Sequence, residues 1–397
     1  MHIPNHRVYK EIKGEPGGLW YTLANGGDDT AILIKAPSNT LKAIATGCKI
    51  ELLFGEYIHE EIKLICTGVR IFDTSDAPLL LFSVQRHSEE HIAIKKIFET
   101  KHTPIFLFNE MDMCVASGVL NTSDKSAKKV ISLLGELEYI YSGKFEDSFN
   151  LFLDDFHIAI DPTRKEKLEL KINSISISVE ASDWDSHIIN FVGYGESEET
   201  ILNTTDEGGY FENKVWFSLD SVFKTNLYKS PQVKLESKVR ELIDILAFSD
   251  EKLFLIEAKS LSVIKAGFKR KQERKSKGII NQVDKAINQL VGAFKALDKH
   301  IFEKNKNTKI LIPNKNTPHC IVLISELVEY GDWQEIEKKI IELTKKNQYY
   351  IHVIDLREWI DILKISSGNM YTLDASLKTR FNAFNEHQSI QLRVKKF

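Results

Sequence analysis

The sequence has few of the residues that mark several common classes of protein. Its 397 residues include four cysteines and nine prolines, and the cysteines form neither a CxxC pair nor a cluster with histidines at zinc-site spacing. This pattern indicates neither a disulfide-stabilised scaffold nor a structural zinc site. We expect buried free thiols at the four positions, which are Cys48, Cys66, Cys114 and Cys320.

Long hydrophobic runs are also missing. No apolar stretch approaches the ~18 residues that a membrane-spanning helix needs. Residues 1–18 contain no hydrophobic signal region of the kind that directs secretion. We therefore expect a cytoplasmic protein that has no membrane partner.

The net charge and the absence of nucleotide-binding motifs argue against two further classes of protein. The net charge of −3 is not that of a generally basic nucleic-acid binder, so any positive surface must be local. The sequence contains neither GxGxxG nor GxxxxGK[ST], the glycine-rich patterns that hold nucleotide phosphates. A nucleotide-driven motor is therefore not indicated.

The composition that remains is typical of a folded globular protein, with 43% hydrophobic and 27% charged residues. A chain of this length exceeds one ordinary hydrophobic core, so we expect two domains. The acidic, glycine-containing stretch at 193–209 shows little periodicity and is typical of a linker. The predicted domains are therefore 1–192 and 210–397.

The first predicted domain has mostly strand patterns. Short apolar segments such as TAILIKA (30–36) and EIKLICTGVRIFD (61–73) are joined at Gly, Asn and Asp residues. Helical patterns occur at 88–100 and at roughly 125–155, before an alternating strand pattern at 167–181. We expect a mostly β, α+β domain.

The second predicted domain alternates between strand and helix patterns. Two apolar segments, ELIDILAF (241–248) and KLFLIEAK (252–259), follow a segment with helical spacing at 210–223. A helical stripe of apolar residues then extends from Ile280 to Leu297, and strands and helices alternate to the end. Near-continuous apolar strands between amphipathic helices indicate an α/β domain whose sheet is covered on both faces.

Three charged residues interrupt these otherwise apolar strands. Asp244 lies in the first strand segment, and Glu257 and Lys259 share one face at the end of the second. If the two segments pair antiparallel across the short turn, Asp244 lies beside Glu257. Buried carboxylates are costly unless they are paired or bind a metal, and oxygen ligands of this kind suit Mg²⁺ or Mn²⁺.

These residues resemble a known family. Asp244, a spacer of roughly a dozen residues and then Glu257-Ala258-Lys259 at the end of a hydrophobic strand are similar to the motif of the PD-(D/E)xK, or restriction-endonuclease-like, nuclease superfamily. The resemblance covers about residues 209–360. Ile243 departs from the fullest form of the motif, which has proline at that position.

The resemblance implies a mixed central sheet flanked by helices and a role for each residue. It implies that Asp244 and Glu257 bind the metal and that Lys259 serves the attacking water. A glutamate on the preceding helix often contributes in this superfamily, and Glu212 occupies that place. A glutamine on the following helix is also frequent, and Gln289, beside Leu290 on the apolar stripe, is a better candidate than Gln282.

The predicted function is that of an Mg²⁺-dependent endonuclease acting on DNA, with Mn²⁺ as a possible substitute. By analogy alone, a nuclease-like domain joined to an unrelated N-terminal domain suggests prokaryotic restriction or anti-phage defence. Three alternatives remain open. The charged residues could form a structural salt-bridge cluster that holds strand register, the fold could bind DNA or assemble without cutting, or the substrate could be RNA.

A basic segment follows the strand that carries Glu257. Residues 265–278, KAGFKRKQERKSKG, contain one acid among many cations, and cations here could neutralise backbone phosphates. Because one site cuts one strand, double-strand cleavage would require a homo-oligomer or repeated nicking. The residues that we predict to contact DNA are Lys269, Arg270, Lys271, Arg274 and Lys275.

Overall fold

The chain has a mixed α/β architecture built from two compact units. The first unit ends at His187 and the second begins at Ile188. Ten α-helices and mixed β-sheets lie in the described residues, and no helix among them is sufficiently long and apolar to span a bilayer. The computed structural model describes residues 4–59, 62–100, 102–161, 170–192, 197–202, 204–236, 238–260, 271–304, 308–313, 317–328, 330–347 and 349–392.

The first unit combines helices with one large sheet. Asn5 begins its first helix by accepting a hydrogen bond from the backbone N–H of Val8, and Ser123 caps a later helix in the same way. Its elements are α1 (His6–Gly14), β1 (Gly18–Ala24), β2 (Asp29–Lys35), α2 (Ser38–Ala45), β3 (Ile50–His59), β4 (Ile62–Ile71), β5 (Leu79–Gln85), α3 (Ser88–Thr100), β6 (His102–Phe108), β7 (Cys114–Asn121), α4 (Asp124–Leu134), α5 (Phe149–Ile160) and β8 (Ile172–Ser186).

The sheet of the first unit has eight strands in the order β1-β2-β6-β7-β8-β3-β4-β5. Strands β2 and β6 pair parallel, and the other neighbouring strands pair antiparallel. The helix predicted at 88–100 is confirmed as α3. The helical region predicted at 125–155 is two helices, because α4 ends at Leu134 and is followed by Gly135, whose φ of 62° lies in the region that glycine enters without strain.

Aromatic side chains on one face of α5 cover part of this sheet. Phe149, Phe152 and Phe156 repeat at helical spacing and are buried against strands that include β3 and β8. At Gly55 in β3, an added Cβ atom would lie 2.5 Å from the ring of Phe156, which is closer than carbon atoms can approach. Gly55 therefore allows α5 to pack tightly on the sheet.

The second unit contains shorter sheets and longer helices. Its elements are β9 (Ile189–Val192), β10 (Ser197–Thr200), α6 (Glu207–Asp220), β11 (Leu227–Lys229), β12 (Gln232–Leu235), β13 (Lys238–Glu241), β14 (Ile245–Phe248), β15 (Leu253–Lys259), α7 (Gln272–Ala296), β16 (His300–Phe302), β17 (His319–Ile324), α8 (Gln334–Asn347), β18 (Tyr350–Asp355), α9 (Leu356–Ser366) and α10 (Met370–His387).

The central sheet of the second unit is mixed, with five strands in the order β11-β14-β15-β17-β18. Strands β11, β14 and β15 pair antiparallel, whereas β15, β17 and β18 run parallel. A three-stranded sheet, β13-β12-β16, and the pair of β9 and β10 complete the unit.

Both faces of the central sheet are covered, as the apolar strand patterns predict. On one face, Leu253 and Leu255 join a core that includes Val283 and Ile287 of α7. On the other face, the ring of Phe254 lies 5.1 Å from that of Phe223, which follows α6. Because nonpolar side chains pack on both faces of the sheet, β15 is buried along almost its whole length.

Two helices begin earlier than the apolar pattern indicates. Helix α7 begins at Gln272, and residues 272–278, which are mostly charged or polar, form its first turns. Helix α6 begins at Glu207, inside the stretch whose sequence is typical of a linker. Asp206 caps α6 by accepting a hydrogen bond from the N–H of Gly209 at 3.1 Å. Charged first turns and caps carry no hydrophobic periodicity, so that signal does not reveal them.

Candidate active site

A tight hairpin between β14 and β15 sets the position of the two strand carboxylates. The Ser249 hydroxyl accepts backbone N–H hydrogen bonds at 3.1 and 3.2 Å within the turn. The strands pair antiparallel with Ile245 opposite Ile256, so Asp244, which directly precedes β14, lies level with Glu257. The antiparallel pairing predicted from the sequence is confirmed.

Lys259 and the two carboxylates form a connected network. The Nζ atom of Lys259 donates to Asp244 Oδ2 at 3.2 Å and to Glu257 Oε2 at 2.5 Å. The backbone N–H of Ala258 also donates to Asp244 Oδ2, at 2.8 Å. On the other side, the N–H of Ser230 donates to the carbonyl oxygen of Asp244 at 2.7 Å. Both the backbone and the side chain of Asp244 are therefore held in place.

This network is largely removed from solvent. Glu257 is 2% exposed and Asp244 is 6% exposed, whereas 21% of the Lys259 side chain remains accessible. The two acids thus sit at the base of the site and the lysine at its opening. Buried charges interact more strongly than exposed ones because water screens them less.

Two further acidic residues approach from other elements. Glu212 lies on α6, and Glu241 is the last residue of β13. Burial, followed by the negative charge of Asp244, raises the pKa of Glu212 to about 7. Burial and Asp244 also raise the pKa of Glu241. We call Glu212, Glu241, Asp244, Glu257 and Lys259 the carboxylate cluster.

Glu241 is a member that the sequence pattern does not identify. In one continuous strand, Glu241 and Asp244 would point to opposite faces, because they are three residues apart. The chain instead turns between β13 and β14, where the N–H of Leu242 donates to the carbonyl oxygen of Pro231 at 2.8 Å. Strand β13 belongs to a different sheet from β14, and this change of sheet brings Glu241 to the site. Its position as the first residue of the ELIDILAF segment is the only signal that the sequence offers.

The carboxylate cluster has more negative charge than its lysine can balance. Burial, followed by repulsion from Asp244, raises the pKa of Glu257 to about 8, although Lys259 partly offsets these effects. Burial alone would lower the pKa of Lys259, but attraction by Glu257 and Asp244 raises it instead. Lys259 is therefore positively charged at neutral pH, and the surrounding acids resist full ionisation.

A cavity of about 310 Å³ opens beside the two strand carboxylates. Glu241, Asp244 and Glu257 contribute to its lining from the strands and their connection, and Asn288 and Gln289 contribute from α7. Gln289 thus shares a cavity with the two acids, whereas Gln282 donates from Nε2 to the carbonyl oxygen of Ser260 at 3.5 Å. The full lining consists of Arg240, Glu241, Leu242, Ile243, Asp244, Glu257, Asn288, Gln289, Gly292 and Ala293.

The predicted basic residues divide into three groups. Lys269 and Arg270 lie outside the described residues. Lys271 and Arg274 are exposed, directly before and within the first turn of α7. Lys275 forms an ion pair with Glu326 at 2.8 Å, so part of its charge is already balanced within the protein.

The donor atoms of the carboxylate cluster fit a hard divalent cation. Four carboxyl groups lie near one lysine, and burial, followed by repulsion from Asp244, raises the pKa of the other three. Added positive charge would relieve this repulsion. Among the described residues, no group of three or more His, Cys, Asp or Glu side chains is spaced to enclose a metal by itself. Mg²⁺ commonly binds to one or two carboxylates and keeps several waters, so Asp244 and Glu257 would be sufficient.

Comparison with known proteins gives no family assignment. No protein-family model, no curated protein and no solved structure matches this chain.

Proposed function

We propose that the chain is a metal-dependent endonuclease that hydrolyses DNA phosphodiester bonds, with Asp244 and Glu257 as ligands for Mg²⁺ or Mn²⁺. The observation that carries this proposal is the contact of one lysine with two buried carboxylates, at 3.2 Å and 2.5 Å, beside an open cavity. A purely structural salt bridge is a poorer account, because buried ion pairs rarely improve on apolar packing.

Asp244 and Glu257 would hold the ion from adjacent strands. The β14–β15 pairing and the Ala258 N–H keep the Asp244 carboxylate beside Glu257, so the site is formed before an ion binds. The bound ion would polarise a phosphate oxygen and lower the pKa of a water molecule. Preformed geometry of this kind avoids reorganisation during the reaction.

Lys259 acts in this proposal as a charged hydrogen-bond donor. Its raised pKa keeps the ammonium group protonated, so it orients the attacking water and stabilises negative charge on the phosphate. Glu212 is better suited to accept a proton, because its pKa of about 7 lies near neutral pH. Gln289 would help to position the substrate from the α7 side of the cavity.

We further infer that residues 210–397 have a restriction-endonuclease-like fold and that residues 1–192 recognise the target or control the site. The mixed five-stranded sheet supports the first inference, because its central hairpin carries both acids and helices cover both faces. Lys271 and Arg274 are exposed before and within the first turn of α7 and would contact the DNA backbone together with Lys269 and Arg270. Lys275 would contribute less, because Glu326 already pairs with it.

The proposal extends to the assembly and the biological role. One site cuts one strand, so we propose a homo-oligomer for double-strand cleavage, which light scattering at micromolar concentration tests. A monomer under those conditions would remove the oligomer from the proposal. A cytoplasmic role in restriction or anti-phage defence rests on analogy alone.

The deciding experiment is incubation of the purified chain with supercoiled plasmid in Mg²⁺, in Mn²⁺ and with a chelator. We expect nicked or linear DNA with either ion and intact plasmid with chelator. The Glu257→Gln and Lys259→Met variants should lose cleavage. Glu251→Gln, an exposed change in the turn of the same hairpin, is the matched control and should retain it.

Each alternative predicts a different result in the same assay. Binding of plasmid with no cleavage in either ion would favour a protein that uses this fold only for DNA binding or assembly. Cleavage of RNA in preference to DNA would change the substrate. Full activity of Glu257→Gln and Lys259→Met would refute the assignment of the site.

A further inference from the structure

Part of the cavity beside the carboxylate cluster has no role in holding a metal. Glu241, Asp244 and Glu257 supply its acidic groups, and the rest of its lining comes from Arg240, the β13–β14 connection and α7. At about 310 Å³, the cavity lies at the lower end of the ~300–1,000 Å³ range of small-molecule sites. It has room for one small ligand unit in addition to the ion.

Gly292 widens this cavity without being required by the fold. It lies in the interior of the 25-residue helix α7, where glycine is less stable than alanine because it loses more conformational freedom on folding. An added Cβ atom would meet no other atom within 4 Å, and the φ of Gly292 is not positive. Neither packing nor backbone conformation therefore demands glycine, and its remaining effect is the open space in the cavity.

Arg240 provides a positive charge at the same cavity. It lies on the exposed strand β13 and lines the space that Asp244 and Glu257 also line. No ion pair holds Arg240 in the part of the chain that the structure describes. A guanidinium group presents a planar set of donors that matches two oxygens of a phosphate.

Two amide side chains complete the polar lining. Asn288 and Gln289 are exposed neighbours on α7, four and three residues before Gly292. An amide offers both donors and acceptors, as a sugar hydroxyl or a base edge requires. A group that can bind phosphate and two amides, around a space of nucleotide-like size, indicate a nucleotide unit as the ligand.

We propose that this part of the cavity is a nucleotide subsite, in which Arg240 contacts the backbone phosphate next to the scissile one while Gly292 leaves room for the sugar and base. The subsite rests on the proposed function, because it positions a strand whose neighbouring phosphate meets the ion at Asp244 and Glu257. It adds a contact surface that is separate from the basic residues at the start of α7.

The test fills the cavity from its helix side. Gly292→Leu places a side chain in the open space, and we expect its KM for a short single-stranded oligonucleotide to rise about tenfold or more. The shift in Tm caused by Mn²⁺ should be unchanged, because the two carboxylate ligands remain. Gly14→Leu is the matched control, since Gly14, at the end of α1, also has no atom within 4 Å of an added Cβ, and it should behave as wild type.

Arg240→Ala provides an independent readout that does not alter the helix. It should weaken oligonucleotide binding and reduce the slope of log K against log salt by about 0.7, the value for one lost phosphate contact on a single strand. Arg240→Lys should restore the salt slope and only part of the affinity. Unchanged KM in Gly292→Leu together with an unchanged salt slope in Arg240→Ala would overturn the subsite.

Failure of the subsite can be distinguished from failure of the proposed function. If the wild-type chain cuts no nucleic acid, calorimetry with a thymidine 5′-monophosphate probe in Mn²⁺ decides the subsite by itself. Binding that Gly292→Leu abolishes would retain the subsite in a protein that does not cut. Absence of any binding would remove it.

Discussion

The central sheet of the second unit carries two buried polar clusters, one on each face. One is the carboxylate cluster. The other, which we call the histidine cluster, consists of His319 on β17, His352 on β18 and Asp374 on α10, with Lys252 and Lys378. His319 pairs in register with Phe254, and Phe254 lies on the opposite face from Glu257 because the two are three residues apart.

The histidine cluster satisfies its charge internally. Asp374 lies 2.9 Å from Nε2 of His319, 2.9 Å from Nζ of Lys378 and 3.1 Å from Nζ of Lys252. Burial alone would raise the pKa of Asp374, but these three donors lower it. Because His319 uses Nε2–H as a donor to Asp374, its Nδ1 accepts from Nε2–H of His352 at 3.0 Å.

The contrast between the clusters separates a structural role from a functional one. In the histidine cluster, two lysines and a histidine donor compensate one carboxylate. In the carboxylate cluster, four carboxyl groups lie near one lysine, and burial, followed by repulsion from Asp244, raises the pKa of the other three. A buried imbalance that costs stability is characteristic of sites whose ligand supplies the missing charge.

The largest effect should follow loss of a carboxylate ligand. Glu257→Gln should reduce plasmid nicking by more than the roughly 100-fold that loss of an outer-shell metal partner can cost, because it removes a ligand itself. At about pH 9 the same variant should be more stable than the metal-free wild type by on the order of 2 kcal/mol, since Gln cannot be ionised. Nicking assays and urea unfolding check the two parts, and a variant that is both active and less stable would contradict the comparison.

Added metal should stabilise the wild type much more than the ligand variant. At an Mn²⁺ concentration about 100-fold above its Kd, linkage predicts an increase of about 2.7 kcal/mol in the free energy of unfolding. Glu257→Gln should lose most of this increase, whereas Asp374→Asn should keep it. Thermal unfolding with and without chelator measures the effect, and an equal response of all three proteins would show that the ion binds elsewhere.

Disruption of the histidine cluster should reduce stability and leave the chemistry intact. Asp374→Ala removes the acceptor shared by His319, Lys252 and Lys378, so we expect a loss of about 1–3 kcal/mol, moderated because the lysines are partly exposed. Glu386→Ala, an exposed change on the same helix, is the control and should have little effect. If Asp374→Ala abolished Mn²⁺ binding without loss of stability, the roles assigned to the clusters would be reversed.

The two clusters should give opposite dependences of stability on pH. The pKa values of Glu212 and Glu257 are raised from 4.5 to about 7 and about 8. Between pH 4.5 and about pH 8 the folded protein therefore holds more protons than the unfolded chain. The free energy of unfolding therefore falls as pH rises through that window. Burial lowers the pKa values of His319 and His352 below 6.5, so the unfolded chain binds more protons below pH 6.5, and stability falls as pH falls.

Single variants should separate the two contributions to the slope of the free energy of unfolding against pH. In metal-free protein, Glu257→Gln should reduce the fall in stability between about pH 7 and pH 8, where the histidines are neutral in both states, by up to about 1 kcal/mol per pH unit. His352→Phe should reduce the acid slope only. Urea unfolding at about pH 5.5, 7 and 8 gives both slopes. Because the carboxyl window continues below pH 6.5, His352→Phe is the variant that tests coupling: a change in its slope between about pH 7 and pH 8 would show that the clusters are coupled.

Local sequence accounts for part of the carboxylate cluster. Asp244 and Glu257 lie on consecutive strands joined by a short turn, so their antiparallel pairing follows from the alternation and the turn residues. Lys259 follows from the two-residue period of a strand. The α/β pattern of the second unit was predictable for the same reason, because strand and helix periods are local properties.

The tertiary structure decided the contacts between distant segments. Glu241 reaches Asp244 only because β13 and β14 belong to different sheets, and Gln289 reaches the same cavity because α7 packs back over β15. The histidines occur singly in the sequence and show no spacing that links them. His319 and His352 meet because β17 and β18, which α8 connects in the sequence, are parallel neighbours in the sheet. Asp374 joins them from α10.

By itself the sequence therefore determined the strand hairpin, its acids and its lysine, because hydrogen bonding and side-chain alternation operate over a few residues. Only the folded chain decided how many carboxyl groups share that site, which amides and arginine line the space beside it, and which histidines pair on the opposite face. Those relations depend on the order of strands and on helix packing, which bring together residues that are far apart in the chain.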